Sequence, residues 1–565
     1  MMIDQPQPSA PGAKPEVSVP GMSDRSFFLA LLAIAAAGLI PLVAIGRSQF
    51  IGFDGWWHVF IATQDRLLML AGEWKGIAHP PLFYPILRLT AAISHSPLML
   101  RAIGIVSGTV SSVAIGVVAG RIYRYKSSAL LVSAAYTFAW SMIELNCDVR
   151  AYPLALVFVL LAFNALIDWT REPGGVQSAS SIMRFGAWSL LAMLSEYYVI
   201  FFFAGCIGIL LLRAVLRPAF RIQLFDSIRR DRIRWLLSIV SVSAVFATSF
   251  VFHMIVRPQD QAYLQSFVWH DDPAADPGSF LMTNFRNEVG FFTPFRLDPA
   301  LMLAVVALLA LPALIYLVFV RREARRDLAV YPPLLLAGIV VQLVVLSLAD
   351  RYPFGGEFRH QSIVAPFAFL TAFLLLDRLA GLTKSSLARN ALFLSVGLLV
   401  ASAFAFGWRD YPWSSAPLVD AEYRHFRALF PDARNIYGDN TSFIFYYSRN
   451  HNSKWTFEDR FLARDQRIIV YKVDDGTGHP VRLLHNKPRT WFELTDPETY
   501  QTMTDALRSA GVRSVVLYEV GRSWDAASAK VIENKIHVLA AAADLECGRY
   551  EVGPNYVFAE FTLVN

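Results

Sequence analysis

Long apolar runs recur along this chain, and their length decides what it can fold into. A bilayer core about 30 Å thick is spanned by about 20 apolar residues in a helix that rises about 1.5 Å per residue. Runs of that size lie near 26–46, 98–120, 128–146, 151–168, 236–255, 299–320, 331–349, 361–377 and 391–408. The chain is 55% hydrophobic and only 17% charged, with a mean hydropathy of +0.41. Those values lie outside the range of a soluble globule and predict a polytopic helical membrane protein. The first 25 residues are Pro-rich and polar, and the run from Phe27 to Ile45 has no convincing small-residue cleavage signature. A disordered cytoplasmic tail (1–25) and a retained first helix are expected.

The stretch "FGAWSLLAMLSEYYVIFFFAGCIGILLLR", residues 185–213, is too long for one comfortable span and short for two. Charge parity decides between them. If two short helices meet at Ser195-Glu196, three basic clusters fall on one side of the membrane. They are Arg121, Arg124 and Lys126; Arg213, Arg217, Arg221, Arg229, Arg230, Arg232 and Arg234; and Arg321, Arg322, Arg325 and Arg326. A single helix would scatter them over both sides. The positive-inside bias therefore favours about eleven spans with the N-terminus in the cytoplasm of a multi-pass plasma (inner) membrane protein.

The net charge of +6 does not signal nucleic acid, because the Lys and Arg residues form short clusters between apolar runs and no continuous stripe. Three scattered cysteines, Cys147, Cys206 and Cys547, give no disulfide framework or zinc spacing. There is no evident tandem repeat, Walker loop or Rossmann fingerprint. After Trp408 the sequence changes in kind. The β-like runs "RIIVYKV", "VRSVVLYEV" and "NYVFAEFTLV" surround the helix-like "YQTMTDALRSAG" and "AKVIENKIHVLAAAADL". Residues 26–408 thus read as a transmembrane domain with a first outer loop at 47–97. Residues 409–565 read as an extracytoplasmic, periplasmic soluble α/β domain with its own core.

Ionisable side chains gather at the outer helix ends: Asp54, His58, Glu73, His79, Asp148, Arg150, Glu196, Asp350, Arg351, Glu357, Arg359 and His360. Charges at membrane depth are costly and commonly mark a site, although those at helix ends can simply snorkel. In "IGFDGWWHVF" the spacing predicts an interfacial helix with Asp54, His58 and Asp65 on one stripe and Trp56, Trp57 and Phe60 in an interfacial aromatic belt. The plainer alternative is an amphipathic connector whose Asp54 caps the helix N-terminus. In "HPPLFYPILRL" the prolines open and bend a second helix and hold His79 extended.

An acid just after the first membrane helix, followed by "HPPLFYPILRL", resembles the GT-C class of membrane glycosyltransferases. The likeness is to the family 39-like protein-O-mannosyltransferase and aminoarabinose-transferase branch, which uses polyprenyl-phosphate sugars. "DVRAYPLALVFVLLAFNAL", "SEYYVIFFFAG" and "RYPFGGEFRHQSIVAPF" support it, and it covers roughly residues 20–410. The resemblance implies a catalytic carboxylate at Asp54 acting as general base, and a second acid at Asp148. It implies that Arg359, His360 and His79 face the donor phosphate; as a further cation in the same turn as Asp148, Arg150 is expected to assist there on chemical grounds. His58, Glu196 and Tyr197 are further candidates for the substrate site. Two departures bear on the sugar and acceptor: Asp54-Gly55 replaces an Asp-Glu pair, and Glu196 stands where a His is frequent.

The implied chemistry suits these residue types. A carboxylate takes the proton of an acceptor hydroxyl as that oxygen attacks the anomeric carbon opposite the phosphate, so the configuration inverts. Burial among aromatics would raise the pKa of Asp54 toward a useful range. Positioned cations, Arg359 above all with its planar fork, stabilise the leaving phosphate. His58, His79, His360, Asp54 and Asp148 are ligand types compatible with a divalent cation, but no spacing specifies a metal site. The expected partners are a polyprenyl-phosphate-linked sugar donor, a lipid, glycan or protein acceptor, and membrane lipids. A secondary transporter or lipid flippase is the alternative. It would place charges at the bilayer midplane and show internal repeats, whereas these charges lie at outer helix ends.

Overall fold

A computed structural model of the chain describes residues 22–63, 80–171, 178–255, 276–292, 328–349, 352, 354–411, 418–438, 440–463, 466–474, 480–487, 501, 504–505, 507–520, 526–542 and 544–564. Helix α1 (Asp24–Ser48) opens on Ser23, whose hydroxyl accepts from the Ser26 amide and satisfies one orphan donor of the first turn. The chain continues through α2 (Phe53–Thr63), α3 (Phe83–Ile93), α4 (Ala102–Ile122), α5 (Lys126–Phe138), α6 (Trp140–Cys147), α7 (Tyr152–Arg171), α8 (Ser178–Ser195) and α9 (Val199–Leu216). Then come α10 (Pro218–Arg230), α11 (Arg232–Ile255), α12 (Pro277–Phe292), α13 (Tyr331–Leu348), the single turn α14 (Phe358–Gln361), α15 (Ala365–Leu382) and α16 (Ser386–Asp410). Among the described residues, seven helical segments are long and apolar enough to cross a membrane. The α5–α6 pair, bent by 55°, adds an eighth if it is one broken span. This is a multi-pass helical membrane protein.

Every expected span falls on a helix except 299–320, which lies outside the described residues together with the tail 1–21 and the arginines at 321–326. The ambiguous stretch 185–213 is two helices, as charge parity required. Side chains help end α8: Ser195 Oγ donates to the Leu191 carbonyl at 2.8 Å, and Glu196 Oε1 accepts from the Tyr197 amide at 3.1 Å. Helix α4 starts beside that turn's end of the bundle and finishes at the other. There Arg121 pairs with Asp168, and Asp377 accepts the amides of Arg124 and Tyr125 at 3.0 and 2.9 Å.

The C-terminal region folds as α17 (Leu418–Leu429), β1 (Asn435–Gly438), α18 (Asn440–Asn450), β2 (Lys454–Ala463), β3 (Gln466–Asp474), β4 (Val481–Lys487), β5 (Ser514–Val520), α19 (Ala526–Ala542), β6 (Leu545–Val552) and β7 (Tyr556–Leu563). The sheet has the order β2-β3-β4-β1-β5-β7-β6, with β1 parallel to both β4 and β5 and the other pairs antiparallel. The three β-like runs are β3, β5 and β7. One sheet face packs on Ile532, Ile536 and Ala540 of α19.

The other face is covered by α17, α18 and the first loop of the membrane domain, forming one core with Trp56, Val59 and Phe60 of α2 and Phe83, Tyr84 and Leu87 of α3. This corrects the membrane-belt expectation for the α2 aromatics. Trp56 is 5% and Phe60 1% exposed. The Phe60 ring meets Phe443 and Tyr447 edge-on at 5.0 Å and Tyr471 at 5.4 Å, the preferred geometry for aromatic pairs. The domain's own aromatics give these rings a fully buried alternative to the lipid interface.

Candidate active site

Helix α2 begins at Phe53, so Asp54 sits inside the first turn and does not occupy the cap. Its side chain is 39% exposed, which corrects the expected burial among aromatics. Oδ2 is held by two guanidiniums: Nη2 of Arg150, and Nη1 of Arg359 at 3.1 Å. Arg150 is buried, and its Nε lies 3.4 Å from Asp148 Oδ2. Burial works against the Arg150 charge, but Asp54 and Asp148 outweigh it and hold this pKa above the ordinary arginine value.

The same arginine fixes a histidine tautomer. Arg150 Nη1 is 3.2 Å from His58 Nε2, and His58 Nδ1 is 3.0 Å from the Tyr84 hydroxyl. Arginine has only donors, so Nε2 accepts and the ring proton resides on Nδ1, donating to Tyr84. His58 is 3% exposed and is therefore a neutral support for Arg150, one helical turn beyond Asp54.

Every described stretch that carries the family resemblance reaches this place. The amide of Leu82, in the HPPL segment, donates to the Leu194 carbonyl at 3.0 Å and so ties that segment to the end of α8. Tyr152 stacks on Tyr198 with ring centres 5.8 Å apart and meets the His360 ring edge-on at 6.3 Å. Ser362 Oγ donates to the Tyr198 hydroxyl at 3.2 Å. Buried Tyr152 is within electrostatic reach of Glu196, Arg150, Arg359 and Asp54 together. Glu196 is 6% exposed and joins the cluster through the Tyr152 neighbourhood. Its neighbour Tyr197 gives it a backbone hydrogen bond. Arg359 also pairs with Glu357. Asp148 follows the last turn of α6 and accepts from the Val149 amide at 2.8 Å.

Sequence reasoning missed the scaffold. Arg101, 4% exposed at the start of α4, donates to the carbonyls of Cys147 (2.5 Å), Gly46 (3.1 Å), Gln49 (2.9 Å) and Phe50 (2.9 Å). One buried cation thus ties the exit of α1, which leads to Asp54, to the residue before Asp148. An arginine opening an otherwise apolar helix was the available signal. Gly55, the departure from an acidic pair, also has a reason. A Cβ there would lie 2.6 Å from Ile51 Cγ2 and 3.3 Å from Val149 Cβ, so the glycine admits the Asp148 turn.

His79, Glu73, Asp65, Asp350 and Arg351 lie outside the described residues. Among the described residues, no group of three His, Cys, Asp or Glu side chains is placed to hold a metal ion.

No protein-family model matches the sequence, and no curated protein matches it. Solved structures match its fold. ArnT from Cupriavidus metallidurans in the apo state superposes with a TM-score of 0.56 at 13% identity, covering 95% of this chain and 98% of that one. The same protein bound to undecaprenyl phosphate gives 0.52 at 12% identity with the same coverage. The likeness extends across the C-terminal domain, which the sequence resemblance did not reach. Over nearly its whole length, membrane bundle and terminal α/β domain together, this chain has the same fold as the ArnT structures.

Proposed function

We propose that this protein is an inverting glycosyltransferase that moves a sugar from a polyprenyl-phosphate carrier to an acceptor hydroxyl on a glycan, lipid or protein. The observation that carries this reading is the Asp54 carboxylate, partly exposed and gripped by Arg150 and Arg359, at the point where the outer turns of a GT-C bundle converge. The positive-inside bias supports placing that end, and the domain 409–565, outside the plasma membrane, with the N-terminus in the cytoplasm. The undecaprenyl phosphate bound by the structurally similar ArnT supports a lipid-phosphate carrier.

Asp54 accepts the acceptor's hydroxyl proton while that oxygen bonds to the anomeric carbon. The bond from that carbon to the phosphate oxygen breaks, and the electron pair leaves with the polyprenyl phosphate. Both arginines are paired with carboxylates before substrate arrives, which fixes how each acts. Arg150 is buried between Asp54, Asp148 and His58 and serves as the positioning residue for the base. Arg359 is 28% exposed, so an arriving phosphate can take its fork from Asp54. That exchange frees the base only when a donor is present. His360 and His79 assist at the phosphate, and Asp148 orients acceptor and base; Glu196 and Tyr197 line the sugar end.

The test is chemical. The full chain in lipid nanodiscs receives a polyprenyl-phosphate sugar and a mixture of envelope glycans, lipids and peptides. Released polyprenyl phosphate and a product of inverted anomeric configuration are the expected result. Movement of the carrier or sugar across the bilayer with no glycosidic bond formed would instead establish a transporter.

A further inference from the structure

Helix α10 stands at the end of the bundle opposite Asp54, between α9 and α11, and is joined to them by Arg217 and Asp231 alone. Its 13 residues extend about 20 Å at about 1.5 Å each and include Arg221, Asp226, Arg229 and Arg230, so it does not cross a bilayer core about 30 Å thick. Its inner face is fixed by buried contacts. Ser227 Oγ accepts the indole N–H of both Trp169 on α7 and Trp235 on α11, each at 3.3 Å. Phe220 is buried with the Arg213 guanidinium 4.2 Å from its ring centre, and Leu224 is buried one turn further on. That anchorage sets what the helix presents outward. Arg221, Phe225 and Arg229 recur every fourth residue and form one stripe, flanked by Ile222 and Ile228, and all five side chains are exposed. The nearby acids do not neutralise this stripe. Asp226 lies about 100° round the helix from Phe225, and Asp231 pairs with Arg230 and Arg234. Among the described residues, Arg221 and Arg229 form no ion pair.

We infer that this face of α10 binds anionic phospholipids at the membrane surface, with Arg221 and Arg229 on the headgroup phosphates and Ile222, Phe225 and Ile228 against the upper acyl chains. The inference is independent of the transferase reading. Apolar side chains interleaved with unpaired arginines on one anchored face match both parts of a lipid. An arginine stem lies along the apolar surface while its guanidinium reaches the headgroup, and a helix of this composition lies in the interface plane. Continuity favours a lipid over a protein partner. Val215 and Leu216 at the end of α9, and Ile233, Leu236 and Leu237 at the start of α11, are also exposed. The greasy stripe of α10 therefore continues a band that the adjoining helices already turn outward. Charge favours an anionic lipid over a zwitterionic one, because the stripe holds two cations and no acid; each arginine at an anionic surface strengthens binding about fivefold.

The experiment reads lipid contact at the site itself. In the full chain, p-benzoylphenylalanine replaces Phe225, and the protein is irradiated in nanodiscs holding phosphatidylglycerol and phosphatidylcholine in equal amounts. Phosphatidylglycerol adducts are expected to exceed phosphatidylcholine adducts about tenfold or more. The double substitution Arg221→Gln/Arg229→Gln should bring the two lipids close to parity at an unchanged melting temperature, since both side chains are exposed. Arg230→Gln removes the same charge about 100° round the helix from Arg229 and should leave the preference within about twofold. The same probe irradiated in native membranes is expected to give adducts of phospholipid mass, a result that does not depend on the arginine variants folding. Parity of the two lipids with the arginines intact, an undiminished preference in the double variant, an equal loss from Arg230→Gln, or adducts with another protein alone overturns the inference.

Discussion

Replacing Arg150 by Lys separates two roles for this residue, phosphate ligand and holder of the base. From its charge and place in the sequence, Arg150 was expected to assist at the donor phosphate. The structure buries it against Asp54, His58 and Asp148. Lysine keeps the charge but loses the fork, so it cannot hold Asp54 and His58 from two nitrogens of one plane. One charge-assisted hydrogen bond, about 1.5–3 kcal/mol, is then lost from the group that aims the base. If that energy is expressed in the transition state, kcat falls about 10- to 150-fold, at about 1.4 kcal/mol per tenfold. Donor KM should change little, because the lost bond is not made to the phosphate. The assay is steady-state transfer in nanodiscs with the donor varied at fixed acceptor. A donor KM raised tenfold with kcat preserved would refute the positioning role and restore the phosphate assignment.

Phe60→Ala should destabilise the joint between α2 and the C-terminal domain by about 3–5 kcal/mol, the usual cost of emptying a buried phenylalanine site. Faster tryptic release of the domain reads it, and wild-type resistance would contradict the shared core. Gly55→Glu restores an acidic pair but should cost about 1–3 kcal/mol through overpacking against Ile51 and Val149. A lowered melting temperature with no gain in activity is expected. Burial raises Glu422 in the C-terminal domain to about 7, with Asn555 opposing. The folded domain then keeps a proton that the unfolded chain releases between about 4.5 and 7. The stabilisation is fully present below the lower value and is lost as pH rises through the upper one. Thermal melts across that window should show it, and Glu422→Gln should flatten the slope.

The membrane architecture was legible because hydrophobic length and arginine placement are local signals. Even the break at Ser195–Tyr198 followed from charge parity, since inserting one turn reverses the side on which every later arginine falls. The α/β domain was legible only in part. Strands β3, β5 and β7 carry dense Val, Ile and aromatic content. By contrast, the four-residue β1 and the charge-rich β2 are strands because of their neighbours in the sheet. Several residues of the candidate site were visible as ionisable groups at helix ends. Their pairing was not. Nothing local says that Arg150 turns onto Asp54 and His58, or that Arg101 gathers four carbonyls from segments about 50 residues away on either side. The α2 aromatics show the same limit: a lipid interface and a docked domain call for the same residue types, and only the fold distinguishes them.

The central claim is that Asp54 is the base, and Asp54→Asn tests it most directly because asparagine keeps the size and removes the proton acceptor. Single-turnover transfer and donor binding are measured on the same nanodisc preparation with an unchanged melting temperature. The account predicts transfer slowed by about 10²- to 10⁴-fold, the usual worth of a positioned general base, with the donor bound at least as tightly because Arg359 no longer faces a carboxylate. Transfer at the wild-type rate would contradict it.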